Sequence, residues 1–384
     1  MSPSSRSESA QLRYRNLQPG DAAPWFQQAC TSNPRYTFDT AAGRYLLLCF
    51  YGTARDAAGR AALEAVQAHR EWFDDTRASF FGVSADPEDR TAGRAVGELP
   101  GVRHFWDFKF HVARLFGAVP EDVDNPRLHF RRLWFVLDPN LRVRAVFPFE
   151  DDGADRAKVF DYLRALPPVS AYLGFEAPPP ILTIANVLEP ELCRNLIELY
   201  ERNGGEDSGF MRNVQGRTVV VNDHRHKVRR DCVIEDRSVM EAVQGRFFRR
   251  VRPEIERVHY FRATRMERYI VSCYSEEEGG HFRPHRDNTT PGTAHRRFAV
   301  TINLNDAFEG GELVFPEYGP RGYKPPPGAA IVFSCSLLHA VSRVTAGRRY
   351  AFLPFMYDDE AAALREKNSG SLEGAGSDYR AETP

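Results

Sequence analysis

Tyr274-Ser-Glu-Glu-Glu-Gly-Gly-His-Phe-Arg-Pro-His-Arg-Asp-Asn288 is the stretch on which the reading of this chain turns. His285 and Asp287 stand two residues apart in it. Side chains at i and i+2 of an extended segment share a face. An imidazole and a carboxylate presented together are two of the three ligands of a 2-His-1-carboxylate site, which leaves positions open on the metal. The third ligand is expected from a histidine on a distant strand, and His339 is the candidate.

The sequence around this stretch reads as strands: 268–274, 298–304, 312–315, 329–333, 339–344 and 349–356, separated by turn formers such as Asn305-Asp306 and Glu309-Gly-Gly311. Many short strands at regular spacing predict a β-sandwich or jelly roll. Such a barrel brings early and late strands to one mouth, so His285 and Asp287 arrive from the early pair and His339 from the late one. Arg349 opens the last long strand, where a guanidinium can grip a carboxylate with two parallel hydrogen bonds. Strand alternation puts Arg348 on the opposite face, so only one of the two enters the barrel. Ahead of the barrel, 189–203 is an amphipathic helix with Leu192, Leu196, Ile197 and Tyr200 on one stripe, ended by Gly204-Gly205. A second helical region, 237–258, is expected to kink at Pro253.

The N-terminal half has a different pattern. Tyr45-Leu-Leu-Leu-Cys-Phe-Tyr51 and Ser79-Phe-Phe-Gly-Val-Ser84 are continuous apolar runs of strand length, the kind buried on both faces of a parallel sheet. A helix from Asp56, its N-cap, to Phe73 lies between them. A helix near 111–116 precedes a third strand at 132–137, which can form a hairpin with 143–147, and 156–166 reads as a closing helix. Alternating strands and helices predict an α/β domain with a mostly parallel sheet.

Pro19-Gly-Asp-Ala-Ala-Pro-Trp-Phe26, Leu48-Cys-Phe-Tyr-Gly52 and Phe135-Val-Leu-Asp138 resemble a peroxiredoxin of thioredoxin-like fold over about 16–167. That family carries a Pro-x-x-x-Thr-x-x-Cys loop after its first long strand. Gly52, Asp56 and Gly59 stand at those positions here, so the peroxidatic thiol is missing, and Arg132 stands where the family keeps an active-site arginine. Without a thiolate there is no nucleophile for peroxide. The domain is therefore expected to be non-catalytic, either a docking or sensing module or a scaffold. A thiol peroxidase would have to use Cys30 or Cys49, and neither lies on that loop.

The second half resembles the Fe(II)/2-oxoglutarate dioxygenases of the prolyl-4-hydroxylase-like branch. The matching residues are Cys273-Tyr274, His285-Arg-Asp287, Leu304-Asn-Asp306, Phe308-Glu-Gly-Gly-Glu-Leu313 and His339 through Arg349-Tyr350. The resemblance implies a double-stranded β-helix in which His285, Asp287 and His339 ligate iron. It further implies that Arg349 binds 2-oxoglutarate and that Tyr274 offers its hydroxyl to this co-substrate, with ascorbate an optional addition. Where related hydroxylases often offer a Tyr toward the co-substrate, this chain has Asn303. The implied reaction is hydroxylation of a C–H bond with release of succinate and CO2. A metal- and 2-oxoglutarate-binding sensor or scaffold is the alternative. Asp287 is intact, which argues against a halogenase.

The resulting organisation is a disordered 1–15, a peroxiredoxin-like domain at 16–167, a Pro-rich linker at 168–180, a dioxygenase domain at 181–358 and a disordered tail at 359–384. A formal net charge of −1 argues against nucleic acid or anionic membrane as partners of the whole chain. The expected partners are a protein, peptide or small-molecule substrate, and a protein docked on the peroxiredoxin-like domain. The six cysteines form no CxxC pair, and no run approaches the ~18 apolar residues that span a bilayer, so a cytoplasmic location is expected. The basic segment 212–230 reads either as a substrate lid that grips an acidic partner or as a solvated loop.

Overall fold

The computed structural model of the protein describes residues 12–122 and 126–372. They divide into two compact units, the first running to Ala177 and taking in Pro316–Pro320, the second made of the remainder from Pro178.

The first unit is built on β1 (Tyr45–Gly52), whose residues are buried as far as Tyr51. α1 (Ala57–Ala68) follows, and the Asp56 side chain caps it by accepting from Gly59 N at 2.9 Å. β2 (Ala78–Ser84), β3 (Val102–Trp106) and the hairpin β4 (Leu133–Leu137) and β5 (Val143–Pro148) supply the rest of its main sheet, a short helix at His111–Leu115 precedes β4, and α2 (Ala154–Arg164) follows β5. The sheet order is β3-β2-β1-β4-β5, with β1–β2 and β2–β3 parallel and the hairpin side antiparallel. Alternation along β1 splits its side chains between two cores. Tyr45, Leu47, Cys49 and Tyr51 pack with Ala62 and Val66 of α1 and Val159 and Phe160 of α2. Phe50 turns the other way, onto Phe116 and Phe135 at ring-centroid distances of 5.3 and 5.8 Å. This is the expected thioredoxin-like fold, with β3 as a strand the sequence pattern does not flag.

The second unit opens with β6 (Leu182–Ile184) and α3 (Pro190–Asn203), then a two-stranded hairpin of β7 (Phe210–Val214) and β8 (Arg217–Val221). β9 (Lys227–Val228), β10 (Arg230–Val233), α4 (Arg237–Arg246) and α5 (Arg252–His259) come next, with a π-turn at Phe247–Val251 between the two helices. The break expected at Pro253 falls instead in that turn, which ends two residues earlier. The barrel strands are β11 (Arg265–Glu267), β12 (Ile270–Ser275), β13 (His281–His285), β14 (Phe298–Asn303), β15 (Leu313–Val314), β16 (Ala330–Ser334), β17 (His339–Val341), β18 (Val344–Phe352) and β19 (Phe355–Tyr357), followed by α6 (Asp359–Asn368).

Two sheets form the jelly roll. The larger runs β11-β19-β14-β18-β12-β10, with β16 joining β14 to β6. The smaller contains β9-β13-β17-β15. One face of the larger sheet carries Val271, Cys273, Val300, Ile302, Tyr350 and Phe352 into a core with Leu196, Phe247 and Ile255 from the helices. Alternation then turns Tyr274, Thr301, Asn303 and Arg349 to the other face. That face looks toward the smaller sheet and bounds the cavity described below.

The expected chain ends differ from the structure. Residues 12–15 are placed: Tyr14 Oη donates to His129 O at 2.9 Å and the Arg131 guanidinium lies 3.6 Å from its ring centroid. Residues 359–368 form α6 because Asp358 caps it, accepting from Ala361 N at 2.9 Å, and Ala361 and Ala362 are buried. Arg365 ties the same helix to Glu267 at 3.0 Å. A run of Ala and charge without an apolar stripe hides such a helix, because tertiary contacts hold it rather than amphipathicity. The remainder of both ends, 1–11 and 373–384, lies outside the described residues. The expected linker is partly packed: Tyr172 is buried and its hydroxyl accepts from Asn140 Nδ2 at 2.7 Å.

Candidate active site

β13 and β17 are antiparallel neighbours, and His285 sits directly opposite His339 in their register. The two imidazoles therefore project side by side, ring centroids 4.2 Å apart. β13 ends at His285, so Asp287 is carried by the turn beyond the strand rather than by its continuation. Asp287 N donates to Cys335 O at 2.9 Å and Asn288 Nδ2 to Ser336 Oγ at 2.8 Å, which fasten that turn to the segment before β17. The carboxylate then meets both rings, His285 Nε2 at 3.7 Å and His339 Nε2 at 3.4 Å. One ligand atom from each residue lies within 4.8 Å of the others.

The imidazoles are fixed in tautomer as well as place. His285 Nδ1 lies 2.8 Å from Arg283 O and His339 Nδ1 lies 3.0 Å from Leu337 O. A carbonyl only accepts, so both Nδ1 atoms carry the proton and both Nε2 lone pairs face Asp287. This is the outer-shell pattern that orients metal-ligating histidines. Phe282 stacks on His285, and Phe333 meets His339 edge-on at 4.7 Å. Burial, and then the neighbouring His339, push the His285 pKa well below its ordinary value, so its imidazole is neutral and able to ligate.

The larger sheet supplies the opposite wall. Arg349 is 2% exposed and faces Tyr274 across the β12–β18 register. Its Nε donates to Asn303 Oδ1 at 2.9 Å and one terminal nitrogen to Thr301 Oγ1 at 3.0 Å. Nη1 is buried and without a hydrogen-bond partner among the described residues. A buried guanidinium costs several kcal/mol (~) unless its protons are met, so the orphan nitrogen marks a place for an anion. Burial draws the Arg349 pKa down while Tyr274 opposes it, and a guanidinium remains charged through such a shift. Arg348 lies outside, half exposed and paired with Glu277. Asn303 is occupied by holding Arg349 and by donating to Pro325 O at 2.9 Å, so it positions the guanidinium.

The two walls enclose about 500 Å³ including the mouth, lined by the three clustered residues, Tyr274, Thr301 and Arg349. Arg229 and Arg268 line it too. The reading of 212–230 as a solvated loop fails at two of its basic residues. Lys227 and Arg229 are 3% and 5% exposed. Arg229 pairs with Asp231 at 2.6 Å and lies 3.4 Å from Tyr274 Oη. Burial, and next the charge of Arg229, push the Lys227 amine down to about 5. Burial would raise Asp231, yet Arg229 and then Arg268 hold it well below the usual carboxylate range. The signal for this cluster was present in the Lys227, Arg229, Asp231 alternation, which puts all three on one face of an extended segment. His281 and His224 stand apart from the site: His281 opens β13 with its ring on Gly279 O, and His224 pairs with Asp207.

In the first unit, Gly52, Thr53, Arg55, Asp86, Phe110 and Arg132 line a separate cavity. Arg132 pairs with Asp56 and donates through Nε to Tyr51 O at 2.9 Å. A Cβ at Gly59 would stand 1.9 Å from the Thr53 carbonyl oxygen, so the backbone excludes a cysteine there. Gly52 has φ +77°, which proline cannot adopt. All six cysteines are buried and unpaired.

Comparison with known proteins gives matches to both units. Residues 269–357 match the 2OG-Fe(II) oxygenase superfamily and residues 19–146 the AhpC/TSA family. A PKHD-type hydroxylase of Cupriavidus metallidurans is 31% identical over 182 residues, covering 44% of this chain and 75% of the relative. A prolyl-4-hydroxylase structure from Pseudomonas putida aligns over 46% of this chain and 91% of its own, at 15% identity and a TM-score of 0.33. The peroxidoxin BcpB of Mycobacterium tuberculosis aligns over 40% and 99%, at 23% identity and a TM-score of 0.32.

Proposed function

We propose, from the premise that the chain belongs to the 2OG-Fe(II) oxygenase superfamily among relatives of the PKHD-type hydroxylases, that His285, Asp287 and His339 hold the iron and Arg349 the distal carboxylate of 2-oxoglutarate. The activity is that of a prolyl-hydroxylase-like dioxygenase: a substrate C–H bond, O2 and 2-oxoglutarate become an alcohol, succinate and CO2. The observation that carries the site assignment is the pairing of three converging ligand atoms with the orphan Nη1 of Arg349 in one cavity.

Bound iron supplies an open coordination face and the redox chemistry of O2 activation. The protein's own residues set the stage for it. The Nδ1–H bonds to Arg283 O and Leu337 O keep both imidazoles turned edge-on to the site. Thr301 and Asn303 hold Arg349 in the one orientation that leaves Nη1 available. To the Tyr274 hydroxyl, which lines the cavity 3.4 Å from Arg229, we assign a hydrogen bond to a carboxylate of the co-substrate. Phe282 and Phe333 exclude water around the histidine rings.

The substrate is a protein or peptide residue or a small molecule reached through the mouth of this cavity. For the first unit we infer a non-enzymatic role, as a docking or sensing module or a scaffold, on the steric exclusion of a thiol at Gly59 and the engagement of Arg132 by Asp56. Among the described residues no helix is long and apolar enough to cross a membrane. Six unpaired thiols support a reducing compartment, the cytoplasm.

The test is succinate release on addition of Fe(II), 2-oxoglutarate and O2, compared with His285→Ala. Release that depends on His285 supports the assignment, and equal release from both proteins removes it.

A further inference from the structure

The cavity holds more positive charge than the proposed metal and co-substrate use. On the assignment above, Arg349 would answer one carboxylate of 2-oxoglutarate, and the metal held by His285, Asp287 and His339 would answer the other. The charges of Fe(II) and Arg349 cancel those of Asp287 and the co-substrate's two carboxylates. Arg229 and Arg268 remain, and both line the same cavity. They share one carboxylate, Asp231, at 2.6 and 3.3 Å. Asp231 is also engaged by Ser272 Oγ at 2.6 Å. The next acid, Glu267, is taken by His295, Arg296 and Arg365. Lys227 adds no charge because burial keeps its amine neutral, so two guanidiniums against one carboxylate leave a surplus of one positive charge in the wall.

Two further features show that this surplus is built in. Arg229 is 5% exposed, and its Nε has no hydrogen-bond partner among the described residues. A buried donor left unmet by the chain calls for a partner from outside it, a ligand or an ordered water. Arg268 lies between β11 and β12 with φ +67°, a left-handed conformation that is strained for a side chain of this size. Strain of this kind concentrates where a side chain must be aimed. Phe355, another cavity residue, lies under the Arg268 guanidinium at 5.6 Å from the ring centroid.

We propose that the substrate carries a carboxylate that seats between Arg229 and Arg268 while its C–H bond faces the metal, so that the enzyme selects acidic substrates. A carboxylate brings one negative charge and matches the surplus, whereas a phosphate brings about two. A guanidinium pair presents donors in the planar geometry a carboxylate accepts. The inference rests on the iron and co-substrate assignment above.

The test titrates protein loaded with Mn(II) and 2-oxoglutarate with a panel of N-acetyl amino acids and their matching amides. N-acetyl-O-phosphoserine amide serves as the phosphate probe. The expected result is an acid that binds about tenfold or more tightly than its amide, with the preference falling below about threefold in Arg268→Gln. Arg229→Lys, which keeps the buried charge opposite Asp231, is the second variant and weakens the preference without abolishing it. A panel in which no acid outbinds its amide overturns the proposal. So does a preference that survives Arg268→Gln, or a phosphate probe that outbinds every acid. The 2-oxoglutarate affinity of the same variants separates the two readings: a parallel fall assigns the pair to the co-substrate and overturns the proposal. If the unaltered protein takes up neither Mn(II) nor 2-oxoglutarate, the iron assignment fails and the inference falls with it.

Discussion

Each unit of this chain has a cavity lined by an arginine on or beside a sheet strand, and the two arginines are in opposite states. In the first unit Arg132 is satisfied by Asp56 and the Tyr51 carbonyl, and the nucleophile's position is closed by backbone. In the second unit Arg349 is held by Thr301 and Asn303, and one nitrogen is left over beside three converging ligands. The contrast teaches that resemblance to an enzyme family places an arginine and a pocket, while chemistry depends on what remains unmet there.

The comparison can be broken most forcefully at the ligands. Asp287→Ala or His339→Ala should take succinate release to background while the thermal transition of the protein stays within a few degrees. Retained turnover in either variant would dissolve the distinction between the two cavities.

Arg349→Ala comes next. Losing a charge-assisted pair worth about 1.5–3 kcal/mol should raise the KM for 2-oxoglutarate by roughly 10- to 100-fold. Arg132→Ala in the first unit should leave that KM unchanged, and steady-state kinetics on the two variants reads both.

Gly59→Cys asks whether the first unit lacks only its thiol. The clash with the Thr53 carbonyl predicts a loss of about 1–3 kcal/mol of stability and no peroxide reduction. A stable variant with thiol-dependent peroxidase activity would show that the site had merely lost one side chain.

A last contrast separates the units by pH. The Lys227 amine releases its proton near 5 when folded and near ~10.4 when unfolded. Between those values the unfolded state binds the extra proton, so stability rises with pH. Lys227→Met should remove a slope of about 1.4 kcal/mol per pH unit. In the first unit burial raises Asp107 to about 6, above an unfolded value near ~3.9. There the folded state binds the extra proton, and stability falls as pH rises through that window. Asp107→Asn should remove a contribution of about 2–3 kcal/mol, and denaturant melts from pH 4 to 9 show both signs.

Much of the fold was legible because burial on both faces writes itself as unbroken apolar runs, as in β1 and β2. The second unit was legible through alternation, which also sorted Arg349 from Arg348. β3 was not, because Val102-Arg-His-Phe-Trp106 carries Arg103 and His104, both buried through tertiary partners that sequence does not reveal; Arg103, for instance, pairs with Asp75 at 2.7 Å. α6 was missed for the same kind of reason. At the site, His285, Asp287, His339 and Arg349 were legible from motif and spacing and Tyr274 from the family resemblance, and the structure brings them to one cavity. Arg268 was not, and Arg229 was legible only as one of three alternating charged residues, since a basic stretch reads as solvated until its burial is known. The role of Asn303 was equally hidden: a short amide could not be told from a co-substrate contact without the position of Arg349.

The central claim is that one cavity holds metal and co-substrate together. It is tested most directly by titrating 2-oxoglutarate into the protein with and without Mn(II), and into His339→Ala and Arg349→Ala. The account predicts binding that requires the metal and is lost or weakened about tenfold or more in both variants. Metal-independent binding, or binding indifferent to both substitutions, would contradict it.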